Sequence, residues 1–231
     1  MKVDRIAVRS LPLFERMSDV DLDSFLDHAS SWPVLTGETV FKQGELATSF
    51  YLLLSGRLKV TQVTGDGQQF IVRVVHPGEL FGFAKALQRP DYPATATAVM
   101  ESVVLSWPSN LWSQFVEQNG RLAVSAIETM GKQLEEAHSR IREMSTEEVE
   151  RRIAHVILRL SLRAGRKEES GIRINFPISR QDIAEMTGTT LYTVSRVLTA
   201  WEARGLVKGG RQKIVICDLP GLSLLSEGAR D

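Results

Sequence analysis

The chain has 231 residues, 43% of them hydrophobic and 24% charged, the make-up of a soluble protein long enough for two domains with separate cores. Its zero net charge hides an asymmetry: from Glu148 onward there are 14 Lys+Arg against 10 Asp+Glu, and of the 28 of each in the chain this leaves 14 against 18 before that point. No apolar run could span a bilayer, no charged-then-apolar signal segment opens the chain, and one cysteine excludes an intrachain disulfide or an iron–sulfur cluster, so a cytoplasmic protein without a membrane partner is expected.

Residues 1 to about 30 read as a helical lead-in punctuated by Pro12 and Ser18, with Val20, Leu22, Phe25 and Leu26 as its apolar side. From Trp32 to Trp107 short alternating or apolar runs are separated by glycine turns at Gly37, Gly44, Gly56, Gly67 and Gly78, a spacing that predicts an all-β sandwich or barrel. Its strands would be Val40–Phe41, Tyr51–Leu54, Leu58–Val63, Phe70–Val75 and Val99–Leu105. A short helix over 109–118 follows, then a longer one from about Arg121 to Met144. Ile127, Met130, Leu134, Ala137, Ile141 and Met144 recur along it at alternating intervals of three and four. Such a seam suits a helix that pairs with a second copy of itself, although it could also pack on the chain's own β domain. A two-fold dimer would match a palindromic DNA site.

Ser145 and Thr146 break the seam, are placed to cap a helix over Glu147–Ala164, and mark a hinge. Gly165–Gly171 reads as a polar loop and Ile172–Phe176 as a strand. The stretch from Ile178 to Leu206 then reads as two short helices around Gly188. Ser179 and Asp182 form a capping-box pattern on the first, Thr189 or Thr190 caps the second, and Val194, Val197, Leu198 and Trp201 line its inner side. Thr190, Tyr192, Thr193, Ser195 and Arg196 are left on its outer face, an inventory fit to read base edges in a major groove; the competing reading is a helical hairpin with a polar face. Val207–Lys208 and Lys213–Cys217 flank Gly209-Gly210-Arg211-Gln212 as a glycine-turned hairpin, which beside those helices makes a winged helix-turn-helix. Ser179, Arg180, Arg211 and Lys213 complete the DNA-contact candidates, and Cys217 is expected to be a buried strand thiol.

The fold class is therefore α+β. A β-roll like a cyclic-nucleotide-binding jelly roll (1–118) precedes a dimerisation helix (119–145) and a winged helix-turn-helix (146–231). In this order, with Gln43–Glu45 (QGE), Ser55–Val60 (SGRLKV), Pro77–Phe83 (PGELFGF) and Arg180–Leu206, the chain resembles the CRP/FNR family of bacterial transcription regulators over nearly its whole length. The resemblance implies double-stranded DNA, a second copy of the chain and RNA polymerase as partners, and activation as the default. In cyclic-AMP-binding members an arginine clamps the cyclic phosphate. Here that position is Ala94, so cyclic AMP is not expected, and Glu79 is left with a structural hydrogen-bonding role. GELFGFAKAL followed by ATA looks like the FNR-type and the nitric-oxide-responsive (NNR/DNR-type) regulators of denitrification, GTTLYTVSRVLTAWEARGL is similar to the second of these groups, and the resemblance extends to superfamily members that sense gases through haem. No histidine spacing marks a metal site. His28, His76, His138 and His155 are the candidate axial ligands; of these His76 lies near the sensor pocket, His138 flanks the seam and His155 lies in the first helix of the DNA-binding part.

Effector-pocket candidates are Phe50, Leu52, Glu79, Leu80, Phe81 and Thr95, although Phe50, Tyr51, Leu52, Leu54, Phe81 and Phe83 could simply fill the roll. The resemblance implies that Arg196 pairs with a guanine of a TTG half-site, with Ser195 beside it. Tyr192 replaces a glutamate common in the family, so its ring would meet a thymine methyl and the adjacent base preference would differ. A regulator without a small ligand, controlled by abundance or modification, and a cyclic-nucleotide-binding module that regulates a partner protein are the alternatives. No phosphate-cradling loop, metal-ligand spacing or nucleophile–base pair argues for an enzyme.

Overall fold

A computed structural model describes residues 5–9, 11, 13, 14, 17–118 and 120–228; Pro12 lies outside the described residues. The chain divides into two compact units, Met1–Glu135 and Glu136–Asp231. The division falls inside a helix.

In the first unit a short helix α1 (Arg5–Arg9) and α2 (Asp19–Asp27) precede eight strands: β1 (Ser30–Val34), β2 (Thr39–Phe41), β3 (Ser49–Ser55), β4 (Leu58–Val63), β5 (Gln69–Val75), β6 (Leu80–Phe81), β7 (Thr95–Ala98) and β8 (Ser102–Pro108). Ser18 caps α2 by accepting the Asp21 N–H. The strands form two antiparallel sheets, in the orders β1-β8-β3-β6 and β2-β7-β4-β5. Strand β3, Ser-Phe-Tyr-Leu-Leu-Leu-Ser, is buried on both faces, which explains its unbroken apolar run. Tyr51 and Leu53 join Phe41, Leu58, Phe81, Ala96 and Val104 in one core. Phe50 and Leu52 point the other way, into a second core with Leu22, Phe25, Leu105, Trp107 and Phe115. There the Trp107 indole N–H donates to the Phe25 carbonyl at 2.7 Å. The expected Val99–Leu105 strand begins only at Ser102, as β8; residues 99–101 form a bend after β7, which ends at Ala98 and was not among the expected strands.

After β8 come α3 (Trp112–Gln118) and the 27-residue α4 (Gly120–Thr146). Ser145 and Thr146 do not cap the next helix. They lie inside α4, and their hydroxyls donate to the carbonyls of Ile141 and Arg142, both at 2.8 Å, one turn back. Helix α5 (Val149–Ala164) starts instead at Glu148, which makes no side-chain cap bond. Gly165–Gly171, expected as a loop, is mostly a hairpin: β9 (Gly165–Glu168) pairs with β10 (Gly171–Ile174). Helices α6 (Arg180–Thr187) and α7 (Leu191–Ala203) follow, then β11 (Val207–Gly210), β12 (Lys213–Ile216) and α8 (Leu219–Glu227). A third sheet, in the order β11-β12-β10-β9, joins the wing to that hairpin. The wing turn is Arg211–Gln212, with Gln212 at φ 54°, while Gly209 and Gly210 pair within the ladder. Cys217 is exposed, not buried, because the strand ends at Ile216 and the thiol falls on its outer side.

Candidate nucleic-acid interface

Helices α6 and α7 are set by local chemistry. The Ser179 hydroxyl accepts the Asp182 N–H at 3.0 Å while the Asp182 carboxylate accepts the Ser179 N–H at 2.9 Å, a complete capping box. Gly188 turns the corner at φ 62°. Thr190, not Thr189, caps α7 by accepting the Thr193 N–H at 3.1 Å. Inside, Val194, Leu198 and Trp201 are buried, and the Trp201 indole donates to the Glu150 carboxylate at 2.7 Å, tying α7 to α5. Val197 is half-buried.

That inner face leaves the outer one open. Tyr192 and Arg196 are exposed one turn apart, Ser195 is half-buried beside them, and Thr193 shares a 3.0 Å hydroxyl contact with Thr190. Among the described residues nothing bonds the Arg196 guanidinium, so its fork is available to an external acceptor. The other cations differ. Arg180 stands 3.3 Å from the Glu202 carboxylate and Lys213 stands 3.5 Å from Glu168, which also takes Arg173 at 3.1 Å. Arg211 is exposed at the wing tip. The Arg166–Lys167 pair on exposed β9 was not singled out by sequence reasoning, because its charged run reads as a loop.

The seam residues divide. Ile127, Leu134 and Ile141 are 63%, 57% and 63% exposed, and Ala137 is exposed. Met130 packs against the Trp107 core. Met144, also exposed, places its methyl 2.8 Å from the point where a Gly188 side chain would begin.

In the first unit a cavity of about 160 Å³ is lined by Phe41, Phe81, Tyr92, Ala94, Arg73 and Gln133, among others. This is below the roughly 300 Å³ at which small-molecule sites usually begin. Of the six pocket candidates only Phe81 lines it. Phe50, Leu52 and Leu80 belong to the Trp107 core. Glu79 accepts the His76 N–H at 3.3 Å and lies 4.0 Å from the Arg73 guanidinium, closing the turn before β6. Thr95 accepts the Gln43 N–H at 3.0 Å. Phe41, Tyr92 and Gln133 come from segments far apart in sequence and carry no local signal of a site. Behind them Tyr51 and Tyr92 meet hydroxyl to hydroxyl at 3.3 Å; burial first, and then the bond to Tyr92, push the Tyr51 phenol up, so it stays protonated.

The histidines do not suit a haem. None lines the cavity. His28 bonds the Ser24 carbonyl, His155 lies 3.2 Å from Glu147, and His138 is exposed on α4. No group of three His, Cys, Asp or Glu among the described residues could hold a metal. No helix among them is long and apolar enough to cross a membrane.

A capped helix pair with an open cationic face, a wing and a β-roll unit define a DNA-binding protein of the winged helix-turn-helix class. Residues 33–119 match the cyclic nucleotide-binding domain and residues 151–225 the Crp-like helix-turn-helix domain. The chain is 29% identical over 222 residues to the transcriptional activator protein FnrA of Stutzerimonas stutzeri, covering 96% of this chain and 90% of that one. It is 28% identical over 203 residues to the cyclic AMP receptor protein of Thermus thermophilus, covering 88% and 91%. A CRP-family transcriptional regulator of known structure from Thermus thermophilus superposes with a TM-score of 0.73 at 26% identity, over 87% of this chain and 98% of that one. The chain belongs to the CRP/FNR family of DNA-binding transcription regulators.

Proposed function

We propose that the protein is a homodimeric transcription activator that binds palindromic sites with TTG-type half-sites and recruits RNA polymerase in the cytoplasm, with no catalytic role of its own. The observation that carries this is the outer face of α7, where Arg196 stands exposed, without a partner among the described residues, beside Ser195 and Tyr192. Arg196 would take the guanine O6 and N7 in bidentate fashion. Arg180, Arg211 and Lys213 would meet phosphates, the first and last exchanging an acidic partner for the backbone. The exposed Ile127, Leu134 and Ile141 would form the dimer seam, with residues 1–118 as sensor, 119–145 as dimer helix and 146–231 as reader.

The sensor cavity suits a small, largely uncharged molecule. Its wall is mostly apolar, and Ala94 offers nothing to a cyclic phosphate. With no histidine in that wall, a nitric-oxide response through haem has no support from the geometry. A regulator without any effector is the second reading, favoured by the packing of Phe50, Leu52 and Leu80 as plain core.

The test is fluorescence-anisotropy binding to a TTG-containing palindromic duplex and to a scrambled one at near-physiological salt, with protein as isolated and after anaerobic haem loading with and without nitric oxide. Selective binding of the palindrome is expected as isolated and unchanged by haem. Equal binding of both duplexes in every state would overturn the sequence-specific reading, and selectivity only with haem and nitric oxide would restore the gas-sensing one.

A further inference from the structure

The end of α4 is fastened to the corner of the helix-turn-helix at two adjacent residues, Thr187 and Gly188, and both contacts lie within the second unit. Arg152 ties Thr187 to Glu147, just past the end of α4. Its Nη1 donates to the Glu147 carbonyl at 3.0 Å and its Nε to the Thr187 carbonyl at 3.2 Å. The other contact is apolar. The Met144 methyl and sulfur stand 2.8 and 4.0 Å from the point where a Gly188 side chain would begin, so the thioether fills the room this glycine leaves. Met144 is nevertheless 57% exposed. No other methionine among the described residues is exposed: Met17 and Met186 are buried, Met100 and Met130 half-buried. The thioether that seats the corner is therefore also the one open to a dissolved oxidant.

We infer that Met144 is an oxidation site whose sulfoxide loosens the helix-turn-helix corner and weakens DNA binding. The inference rests on α7 as the DNA-reading helix, not on any particular target sequence. With hydrogen peroxide as oxidant, the sulfur lone pair attacks one peroxide oxygen, an S–O bond forms and the O–O bond breaks. The sulfur gives up two electrons, and the other oxygen leaves as water with both protons. A flexible apolar side chain becomes a polar one, a change that methionine sulfoxide reductases reverse. The corner's own donors are engaged, because the Gly188 and Thr189 N–H groups both go to the Ala184 carbonyl. Keeping the sulfoxide against Gly188 would bury its oxygen unpaired, so the side chain turns out to solvent and the seat is lost. Thr190, whose cap starts α7, is two residues beyond Gly188, so a loosened corner reaches the reading helix directly. Arg152 still holds Thr187, and the loss is partial.

The test uses the full-length chain with Cys217→Ser, which removes the exposed thiol, and the same protein with Met144→Leu added. Both are treated with hydrogen peroxide, the excess is destroyed with catalase, and each is compared with its own untreated sample. Peptide mass mapping should show one added oxygen on Met144 before any on Met17 or Met186. The oxidised protein should bind duplex DNA about tenfold more weakly, exchange its Gly188 and Thr189 amides faster, and recover both properties with a methionine sulfoxide reductase. The Met144→Leu protein should show neither change. Met144 left unoxidised while buried methionines react, Met144 oxidised with binding and exchange unaltered, or a Met144→Leu protein that loses binding equally overturns the inference. So does a loss of binding that sedimentation velocity traces to a lost dimer with the corner amides unchanged, because the oxygen would then act at the seam. Selective recognition of no duplex before treatment overturns the palindromic reading alone, since mass and exchange still decide on Met144.

Discussion

Arg159 grips Glu143 with two prongs, Nη1 at 2.5 Å from Oε1 and Nη2 at 3.2 Å from Oε2, although Glu143 is almost sealed from solvent. The pair joins the end of α4 to the middle of α5 across the break at Glu147, and a second ion pair, Glu136–Arg163, repeats the link. The break is thus braced. Removing one partner of a buried pair strands the other, whereas replacing both by apolar groups is often neutral. Because Arg159 is about a third exposed, Glu143→Ala should destabilise the second unit by about 1–3 kcal/mol, less than a fully buried pair would. Glu143→Met with Arg159→Leu should recover most of it. Hydrogen exchange of the α5 amides would measure both, and no change in the single variant would remove the bracing role.

Arg196→Ala should lose about 1–3 kcal/mol of discrimination at one guanine per half-site, with little change on unrelated DNA. Arg211→Ala should weaken all sequences alike and make the salt dependence shallower. Anisotropy titrations on matched and guanine-substituted duplexes separate the two. An Arg196→Ala protein as selective as wild type would refute the assignment.

An apolar helix face three-fifths exposed over Ile127, Leu134 and Ile141 is unstable in water unless covered. Leu134→Glu should shift the chain to monomer in sedimentation velocity at micromolar concentration and leave each unit folded. Palindrome binding should fall by more than tenfold, because two half-sites would no longer be linked. A dimer that survives the substitution would place the interface elsewhere.

Gly56 sits at φ 89°, and a side chain there would begin 2.2 Å from the Ser102 hydroxyl and 2.5 Å from the Glu101 carbonyl. Strain and overlap add, so Gly56→Ala should destabilise the first unit by about 2–4 kcal/mol. Circular dichroism during thermal unfolding would show the loss, and a thermal midpoint equal to wild type would mean that the β3–β4 turn can shift.

Much of this was legible because its causes are local. The capping box of Ser179 and Asp182, the corner at Gly188 and the inner face of Val194, Leu198 and Trp201 depend on residues three to seven apart, and periodicity reports such spacings directly. Strand β1 escaped because Ser-Ser-Trp-Pro-Val carries a proline and no alternation, and it is an edge strand held by β8. Strand β9, Gly-Arg-Lys-Glu, escaped for the same reason: an edge strand takes its conformation from its partner, here β10, and its charges discourage further pairing. The cavity was not legible because its lining, Phe41, Phe81, Tyr92, Ala94 and Gln133 among others, is gathered from segments far apart in sequence, whereas Phe50, Leu52 and Leu80 read the same whether they line a cavity or fill a core.

The way the strands are paired also orders events in time. Ser30 is matched with Ser106, and Phe50 with Trp107, so the sheet carrying β3 cannot zip until chain segments more than fifty residues apart have met. In the second unit Ile172 finds Lys167 and Gly209 finds Ile214 within a few residues, and α6 meets α7 across one turn. Chains dominated by near neighbours collapse to their native form orders of magnitude faster than those dominated by distant ones. On emergence from denaturant the DNA-reading half should therefore be protected first. During that interval a finished helix-turn-helix unit is attached to an unfinished β unit, and the helix that carries the exposed Ile127, Leu134 and Ile141 has only one folded end.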